Sequence, residues 1–291
     1  RNRADAAYAS SDWAVALAEY EKLVSLFPEE GCLHSRLGGC ALREPGRLNM
    51  ARRHLGIAMR SNCEEADLEF HRARLAHLEY DFSKARDLYA AYLETGGKKA
   101  RFRTEAMVWE QSCVAVDWDP EERVSVRVLD RFPAEPDLAF RYYRPQTPGL
   151  RLVSIPVALR SKADGKESPG NMAFHDRDTA LVYSSLGKNG KLGKDLFRIA
   201  LHGGEYGESQ RLPDGVNTAW DEDDAYLSPD GVLYFSSNRP GGLGGKDIYA
   251  VRWANGWPQG DPERLPFPIN TVNDDAFFVP EPDGGAWLFS N

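Results

Sequence analysis

The sequence lacks any run of apolar residues close to the roughly 18 that a membrane-spanning helix requires, so it predicts no transmembrane segment. It also lacks an excess of positive charge, because 36 Lys and Arg stand against 44 Asp and Glu. Most of the acidic surplus lies in residues 119–291, which contain 26 acidic and 19 basic residues. Since binding nucleic-acid phosphates requires clustered Lys and Arg, this balance argues against nucleic acid as the main partner.

Cysteine is scarce, and its spacing excludes the common zinc patterns. The four cysteines are Cys32, Cys40, Cys63 and Cys113, and none of them forms a CxxC pair. Free cysteine packs as a small hydrophobe, so we expect these side chains to be buried among helices. Their spacing leaves both the disulfide state and the redox compartment open.

A recognisable catalytic or cofactor motif is also missing. The glycine-rich segment 240–247 differs from a phosphate-binding loop at two positions. Pro240 stands where the loop needs Gly, and Asp247 stands where it needs Ser or Thr. No GxSxG nucleophile elbow is present, and neither His175 nor His202 has a nucleophile near it in the sequence. We therefore predict no enzyme activity, no catalytic residues, no cofactor and no metal centre.

Residues 1–118 show the periodicity of amphipathic helices. Apolar residues recur at helical spacing between Asp12 and Phe27, and a proline follows as a stop signal. The small residues Ala16, Ala51 and Ala85 lie 35 and 34 residues apart. This is the period of tetratricopeptide (TPR) repeats, in which paired helices meet through small side chains.

The TPR period divides this region into four predicted parts. These are a partial repeat at 1–29, full repeats near 31–63 and 66–97, and a capping helix from about 102 to 116. In such repeats the first helix of each pair lines a concave face, which places five side chains inward. They are Arg36, Arg43, His71, Arg74 and His77. Because arginine binds carboxylates well, we predict a groove for an acidic partner segment, with ordinary solvated helix residues as the alternative.

Residues 119–164 form a second predicted region, which is rich in proline. Val124, Val126 and Val128 alternate with polar residues, and this alternation favours a short half-buried strand. The region is interpreted either as an ordered linker or as part of a degenerate first β-repeat.

Residues 165–291 are rich in β-forming residues and contain an internal repeat. The segment 227–249 has apolar strands on either side of a glycine-rich turn. Its Ser-Ser pair and its Gly-Lys-Asp sequence recur 52 residues upstream, in the segment 183–197, and a third copy starts at Asp283. A β-rich repeat of this length predicts propeller blades.

Nine residues of the clearest copy are predicted to shape the blade rather than to bind a ligand. Proline presets φ in a tight turn, glycine accepts a positive φ, and Ser or Asn side chains satisfy backbone groups. A carboxylate is expected to fix the base of the glycine-rich loop. These residues are Ser228, Pro229, Asp230, Gly231, Ser236, Ser237, Asn238, Gly245 and Asp247.

Two acidic runs, at 221–224 and 273–275, occur once in each copy of the repeat. Carboxylates are calcium ligands, but neither run has the spacing of an EF-hand loop. We interpret both runs as turn and closure elements, and calcium binding stays open.

The segment 227–249 resembles the PD40 (WD40-like, TolB-type) propeller repeat, and residues 1–118 resemble TPR repeats. In this order the modules resemble the periplasmic OmpA-family proteins of Bacteroidetes, which include a PorE-like component of the type IX secretion and gliding machinery. The resemblance covers roughly residues 4–118 and 165–291. It implies an α + β multidomain chain with an N-terminal TPR-like solenoid and a partial or truncated β-propeller.

The resemblance also implies a function. We expect a non-enzymatic scaffold in the periplasm, associated with the outer membrane, that docks protein partners of a secretion or gliding complex. Contact with peptidoglycan would come only through C-terminal domains that these residues do not include. Because a closed propeller needs at least four blades, the native protein is expected to be longer.

Two alternatives remain open at the level of sequence. One is a TolB-like role in envelope maintenance, with the same fold and compartment but different partners. The other is a ligand-binding or accessory propeller of an enzyme, which is supported by the acidic surplus and by the loop aromatics Trp220, Trp253 and Trp257. In such blades Trp257 is also interpreted as a packing residue.

Overall fold

The computed structural model describes residues 1–61, 63–115, 126–166, 170–176, 178–187 and 193–290. The chain divides into two compact units, Arg1–Asp117 and Trp118–Asn291, which we call the helical unit and the β unit. Helices form the first and mainly antiparallel strands the second, which confirms the predicted α + β layout. Among the described helices, none combines the length and apolarity needed to cross a membrane.

In its described part, the helical unit consists of seven α-helices joined by short turns. They are α1 (Asn2–Ala9), α2 (Trp13–Leu26), α3 (Gly31–Ala41), α4 (Leu48–Arg60), α5 (Asp67–Leu78), α6 (Phe82–Gly96) and α7 (Arg103–Ala115). Asp12 caps α2 by accepting a hydrogen bond from the Val15 N–H, and Asp81 caps α6 in the same way. The periodic alanines Ala16, Ala51 and Ala85 are fully buried, as helix pairing through small residues requires.

A disulfide joins Cys32, at the start of α3, to Cys63, which follows α4. Cys40 and Cys113 are free and buried. The expectation of buried packing therefore holds for Cys40 and Cys113, whereas Cys32 and Cys63 are cross-linked. The antiparallel α3–α4 pair brings their Cα atoms to 5.2 Å although 31 residues separate them in sequence.

Removing this cross-link is expected to destabilise the helical unit. The double variant Cys32→Ser, Cys63→Ser should lose about 2–4 kcal/mol of unfolding free energy, because the loop between the two positions regains freedom in the unfolded chain. Urea unfolding followed by far-UV circular dichroism measures the change. A reducing agent should shift the unfolding midpoint of the parent protein toward that of the variant, and it should leave the midpoint of the variant unchanged. Equal unfolding midpoints for parent and variant under oxidising conditions would contradict the prediction.

The described part of the β unit contains eleven strands. They are β1 (Leu150–Ser154), β2 (Asn171–His175), β3 (Ala180–Ser185), β4 (Asp195–His202), β5 (Glu205–Arg211), β6 (Glu222–Leu227), β7 (Val232–Ser237), β8 (Asp247–Ala254), β9 (Trp257–Arg264), β10 (Asp275–Pro280) and β11 (Ala286–Ser290). One sheet has the order β1-β2-β6-β7-β8-β9, a second β3-β4-β5, and a third β10-β11. Strands β6 to β9 form an antiparallel meander, whereas β2 and β6 pair in parallel.

The two copies of the sequence repeat place their strands alike. β3 and β7 both end at a Ser-Ser pair, and β4 and β8 both begin at an aspartate that follows Gly-Lys. One apolar cluster joins the copies, with Leu196 and Leu212 from the upstream copy packed among Leu233, Phe235 and Val251 from the downstream copy. The two copies therefore share a core.

The strand predicted around Val124 is not present where it can be checked. Val124 lies outside the described residues, while Val126 and Val128 lie in irregular backbone. Both valine side chains are exposed, and in the described part of the chain neither residue belongs to a strand. Among the described residues no strand pairs with Val126 or Val128, so the alternation of valines fails as a strand signal at these two positions.

Candidate functional site

Arg36 lies on α3 and is already engaged by neighbouring side chains. Its guanidinium contacts the carboxylate of Asp5, and its Nε donates to Glu65 Oε1 at 2.6 Å. Burial would lower the pKa of Arg36, but hydrogen bonds to Tyr20 and Glu65 raise it. The side chain keeps 32% of its surface exposed, yet its donors serve contacts within the helical unit.

Arg43, in the turn that follows α3, lies over a group of aromatic rings. Its guanidinium carbon is 4.8 Å from the centre of the Trp13 ring and 5.4 Å from that of Phe102. Its Nη2 pairs with Glu105 Oε2 at 2.7 Å, and 22% of the side chain is exposed. Stacking on rings fixes the guanidinium in place while leaving part of it open to solvent.

Two further arginines extend this arrangement. Arg74 lies 4.0 Å from the centre of the Trp109 ring. Arg101 lies 4.1 Å from the centre of the Tyr8 ring, and its guanidinium donates to the Tyr8 carbonyl. Burial lowers the pKa of Arg74, and the positive charge of Arg43 adds to the effect. We call Arg43, Arg74 and Arg101, with their rings, the arginine–aromatic surface.

His71 and His77 lie beneath this surface and are 1% and 0% exposed. His71 Nε2 is 2.8 Å from the Tyr8 hydroxyl, and His77 Nδ1 is 3.5 Å from Cys113 Sγ. Burial lowers the pKa of His71 to about 3, so its ring is neutral at pH 7. From the sequence, both histidines were predicted to line an open groove. In the structure they are buried in the core of the helical unit, so that prediction is wrong for His71 and His77.

Of the five predicted groove residues, the structure therefore leaves Arg43 partly open beside aromatic rings, whereas the guanidinium of Arg74 is buried against Trp109. Arg36 is held by carboxylates, and the two histidines are internal. Arg101 was missed by the sequence reasoning. It lies in the turn before α7, and outside a helix the helical register does not indicate which way a side chain points.

In the β unit, the predicted turn residues adopt the expected geometry. The Ser228 hydroxyl donates to the Val232 carbonyl at 2.9 Å and accepts from the Val232 N–H at 3.1 Å. Gly231 has a φ of 77°, which a residue with a side chain adopts only at a cost. Pro229 and Asp230 are exposed at the tip of this turn.

The Ser-Ser-Asn part of the motif connects β7 to the acidic run 221–224. Ser236 donates to Asp224 at 3.0 Å, and Ser237 donates to Glu222 at 2.8 Å. Asn238 accepts from the Asp221 N–H at 2.8 Å. The carboxylates of this run are therefore hydrogen-bond acceptors inside the fold.

Asp247 organises the glycine-rich loop before β8. It accepts the N–H groups of Leu243 and Gly244 at 2.9 and 3.1 Å. Burial raises the pKa of Asp247 to about 6. Gly245 has no room for a side chain, since a Cβ there would collide with the carboxylate of Asp274.

A reciprocal pair of hydrogen bonds ties each copy of the repeat to the next. The Lys194 N–H donates to Asp221 Oδ1 at 2.7 Å, while the Glu222 N–H donates to the Lys194 carbonyl at 2.8 Å. The Lys246 N–H donates to Asp274 at 2.9 Å, with the same return bond from the Asp275 N–H. Both acidic runs thus close one copy onto its neighbour.

Calcium is not indicated by this geometry. Within the described residues, no group of three or more His, Cys, Asp or Glu side chains is arranged to hold a metal ion.

Comparison with known proteins finds no family model, no curated protein and no solved structure that matches this chain.

Proposed function

We propose that this chain is a non-enzymatic scaffold whose helical unit binds an acidic protein segment. The observation that carries the proposal is the arginine–aromatic surface, where the guanidiniums of Arg43 and Arg101 lie 4.8 and 4.1 Å from ring centres and are partly open to solvent. Guanidiniums held in place lose little freedom when a carboxylate binds, and they can donate two hydrogen bonds to it. Binding should therefore depend on acidic side chains in the partner.

The wider setting of the scaffold is part of the same proposal. The Cys32–Cys63 disulfide favours an oxidising compartment such as the periplasm, since disulfides persist there and are rare in reducing cytosol. The paired helices and the shared bonding of the two β copies support a TPR-like solenoid followed by propeller blades of the PD40 type. In that setting the chain acts in an outer-membrane-associated complex of type IX secretion or gliding, with peptidoglycan reached only through other domains. A TolB-like role in envelope maintenance is the nearest alternative.

Acidic-segment binding can be measured with two labelled peptides and the full chain. One peptide contains Asp, Glu and Ser, and the other replaces each Asp and Glu with Asn and Gln. Fluorescence anisotropy should show binding of the acidic peptide alone, and the affinity should fall with added salt. The double variant Arg43→Ala, Arg101→Ala should bind on the order of 10- to 100-fold more weakly, because hydrogen bonds to charged groups are lost.

The matched control removes two positive charges nearby without touching the rings. Lys98 and Lys99 are exposed in the short turn before α7, so the variant Lys98→Ala, Lys99→Ala should keep most of the affinity. Circular dichroism confirms that each variant is folded. Equal binding of the two peptides, or an equal loss in the lysine variant, would refute a specific arginine–aromatic site.

A further inference from the structure

Strands β3, β7 and β11 each end at a serine, and a buried acidic side chain lies beside each of these serines. Beside Ser185, Asp164 accepts from the serine hydroxyl at 2.6 Å and from the Leu186 N–H at 2.7 Å. Burial would raise the pKa of Asp164, but hydrogen bonds of this kind lower it. At the end of β3 the acid is therefore stabilised in its charged form.

Glu222 lies opposite Ser237 at the end of β7, and both of its oxygens have donors. Its Oε1 accepts from the Ser237 hydroxyl at 2.8 Å and from the Thr218 hydroxyl at 2.7 Å, and it lies 3.2 Å from Arg239 Nη2. Its Oε2 accepts the Thr218 N–H at 2.8 Å. This acid therefore has the hydrogen bonds and the cation that a buried carboxylate requires.

Asp275 occupies the same position opposite Ser290 at the end of β11, but its two oxygens are served unequally. Oδ2 accepts the Thr271 N–H at 2.5 Å. Within the described residues, Oδ1 has no hydrogen-bond partner, although the side chain is 0% exposed. A negative charge on this oxygen would be buried without a donor, which is the situation that the other two acids avoid.

The charge that acts on Asp275 from a neighbouring strand is also negative. Burial raises the pKa of Asp275 to about 7, donors on Ser290 and Thr271 offset only part of this rise, and the carboxylate of Asp247 on β8 adds to it. The protonated form of Asp275 is therefore favoured in the folded chain up to about neutral pH.

Further charged groups surround this pair of acids. Burial raises the pKa of Asp247 to about 6, Asp274 just before β10 also raises it, and Arg264 on β9 lowers it. Lys246 precedes Asp247 in the chain, but its ammonium nitrogen lies 3.5 Å from Asp223. Arg264 and Lys246 thus each act on a carboxylate other than the acid that begins β10.

We propose that Asp275 is a proton-controlled latch, which holds strands β10 and β11 closed when it is protonated and loosens them when it is ionised. The protonated side chain buries no charge and still accepts the Thr271 N–H. Ionisation places a charge on the oxygen that has no donor, and burying such a charge is costly. The loop before β8 should loosen as well, because the Asp275 N–H donates to the Lys246 carbonyl at 2.8 Å.

The first experiment detects the proton directly. NMR of the full chain with ¹³C-labelled aspartate follows the carboxyl carbons from pH 4 to pH 9. The Asp275 signal, assigned through its correlation with its own backbone, should titrate with a midpoint near 7. A midpoint below 5 would overturn the proposal, because the acid would then be ionised throughout the range in which the latch is expected to work.

The second experiment measures the effect on stability. Because the pKa of Asp275 is raised in the folded chain, the unfolded chain ionises first, and the parent should lose stability as the pH rises from about 4 to 7. Asp275→Asn keeps the shape and removes the titration. Between pH 5 and pH 8, the unfolding equilibrium constant of the parent divided by that of Asp275→Asn should rise on the order of 100-fold.

Urea unfolding at the two pH values gives this ratio, and hydrogen–deuterium exchange shows where protection is lost. Protection of β10 and β11 should fall with pH more in the parent than in Asp275→Asn. Asp230→Asn makes the same chemical change at an exposed position, and its ratio should stay within about twofold. A ratio for Asp275→Asn that does not change with pH would refute the latch. This inference concerns the β unit alone, so it does not depend on the binding of an acidic segment.

Discussion

Replacing Asp223 with Ala is expected to lower the free energy of unfolding of the β unit by about 3–5 kcal/mol, the usual effect of breaking a buried ion pair. Asp223 is buried and bridges the ammonium groups of Lys194 and Lys246. Burial alone would raise the pKa of Asp223, but these two ammonium groups lower it, so the carboxylate is charged. Its removal deprives both ammonium groups of the carboxylate that they share.

The measurement is urea unfolding, with hydrogen–deuterium exchange to assign the change to peptides of the β unit. Asp230→Ala removes an exposed carboxylate from the same unit and should stay within about 0.5 kcal/mol of the parent. Adding Lys246→Met to Asp223→Ala should restore part of the loss, because the ammonium group that lost its ion pair with Asp223 is then absent as well. Strict additivity of these two changes would show that Asp223 and Lys246 do not interact.

Replacing Asn270 with Ala should have an effect of similar size, about 2–6 kcal/mol, for a different reason. Its side chain accepts from the Ile248 N–H at 2.6 Å and donates to the carbonyls of Ile248 and Leu265 at 2.9 and 2.7 Å. Alanine would leave the Ile248 N–H and the Leu265 carbonyl without this partner, while the Ile248 carbonyl keeps its bond from the Leu265 N–H at 2.9 Å. Each buried unsatisfied group costs about 1–3 kcal/mol.

The chain provides an internal duplicate and a control for this prediction. Asn217 makes the same three bonds in the upstream copy, to the Leu196 N–H and to the carbonyls of Leu196 and Leu212, so Asn217→Ala should cost a similar amount. Asn273 has an exposed side chain, and Asn273→Ala should be nearly neutral. A loss below about 1 kcal/mol at both Asn217 and Asn270 would show that these side-chain bonds do not stabilise the β unit.

The sequence predicted the parts of the fold that repeat. The alanine period located three buried helix contacts, and the duplicated Ser-Ser and Gly-Lys-Asp segments located equivalent strand ends. Both signals are strong because the same local structure is encoded twice or more, so one weak pattern supports another. Isolated patterns, such as the alternation around Val126, had no such support.

Features that depend on proximity across the chain could not be predicted. Nothing in the spacing of Cys32 and Cys63 reveals that α3 and α4 bring them together. Helical register gave the side of α5 on which His71 and His77 lie, but not whether that side is covered. It is covered, since Tyr8 and Phe102 contact His71, and Trp109 contacts His77.

The reciprocal bonds between copies of the β repeat impose an order on folding. Lys194 and Lys246 donate their N–H groups to carboxylates 27 and 28 residues further along the chain. During synthesis, each lysine is therefore made well before the aspartate that it requires, and a copy can reach its final bonding only after the next one has begun to appear. A copy of the β repeat that folds before the chain is finished therefore lacks these bonds until the next copy has been made.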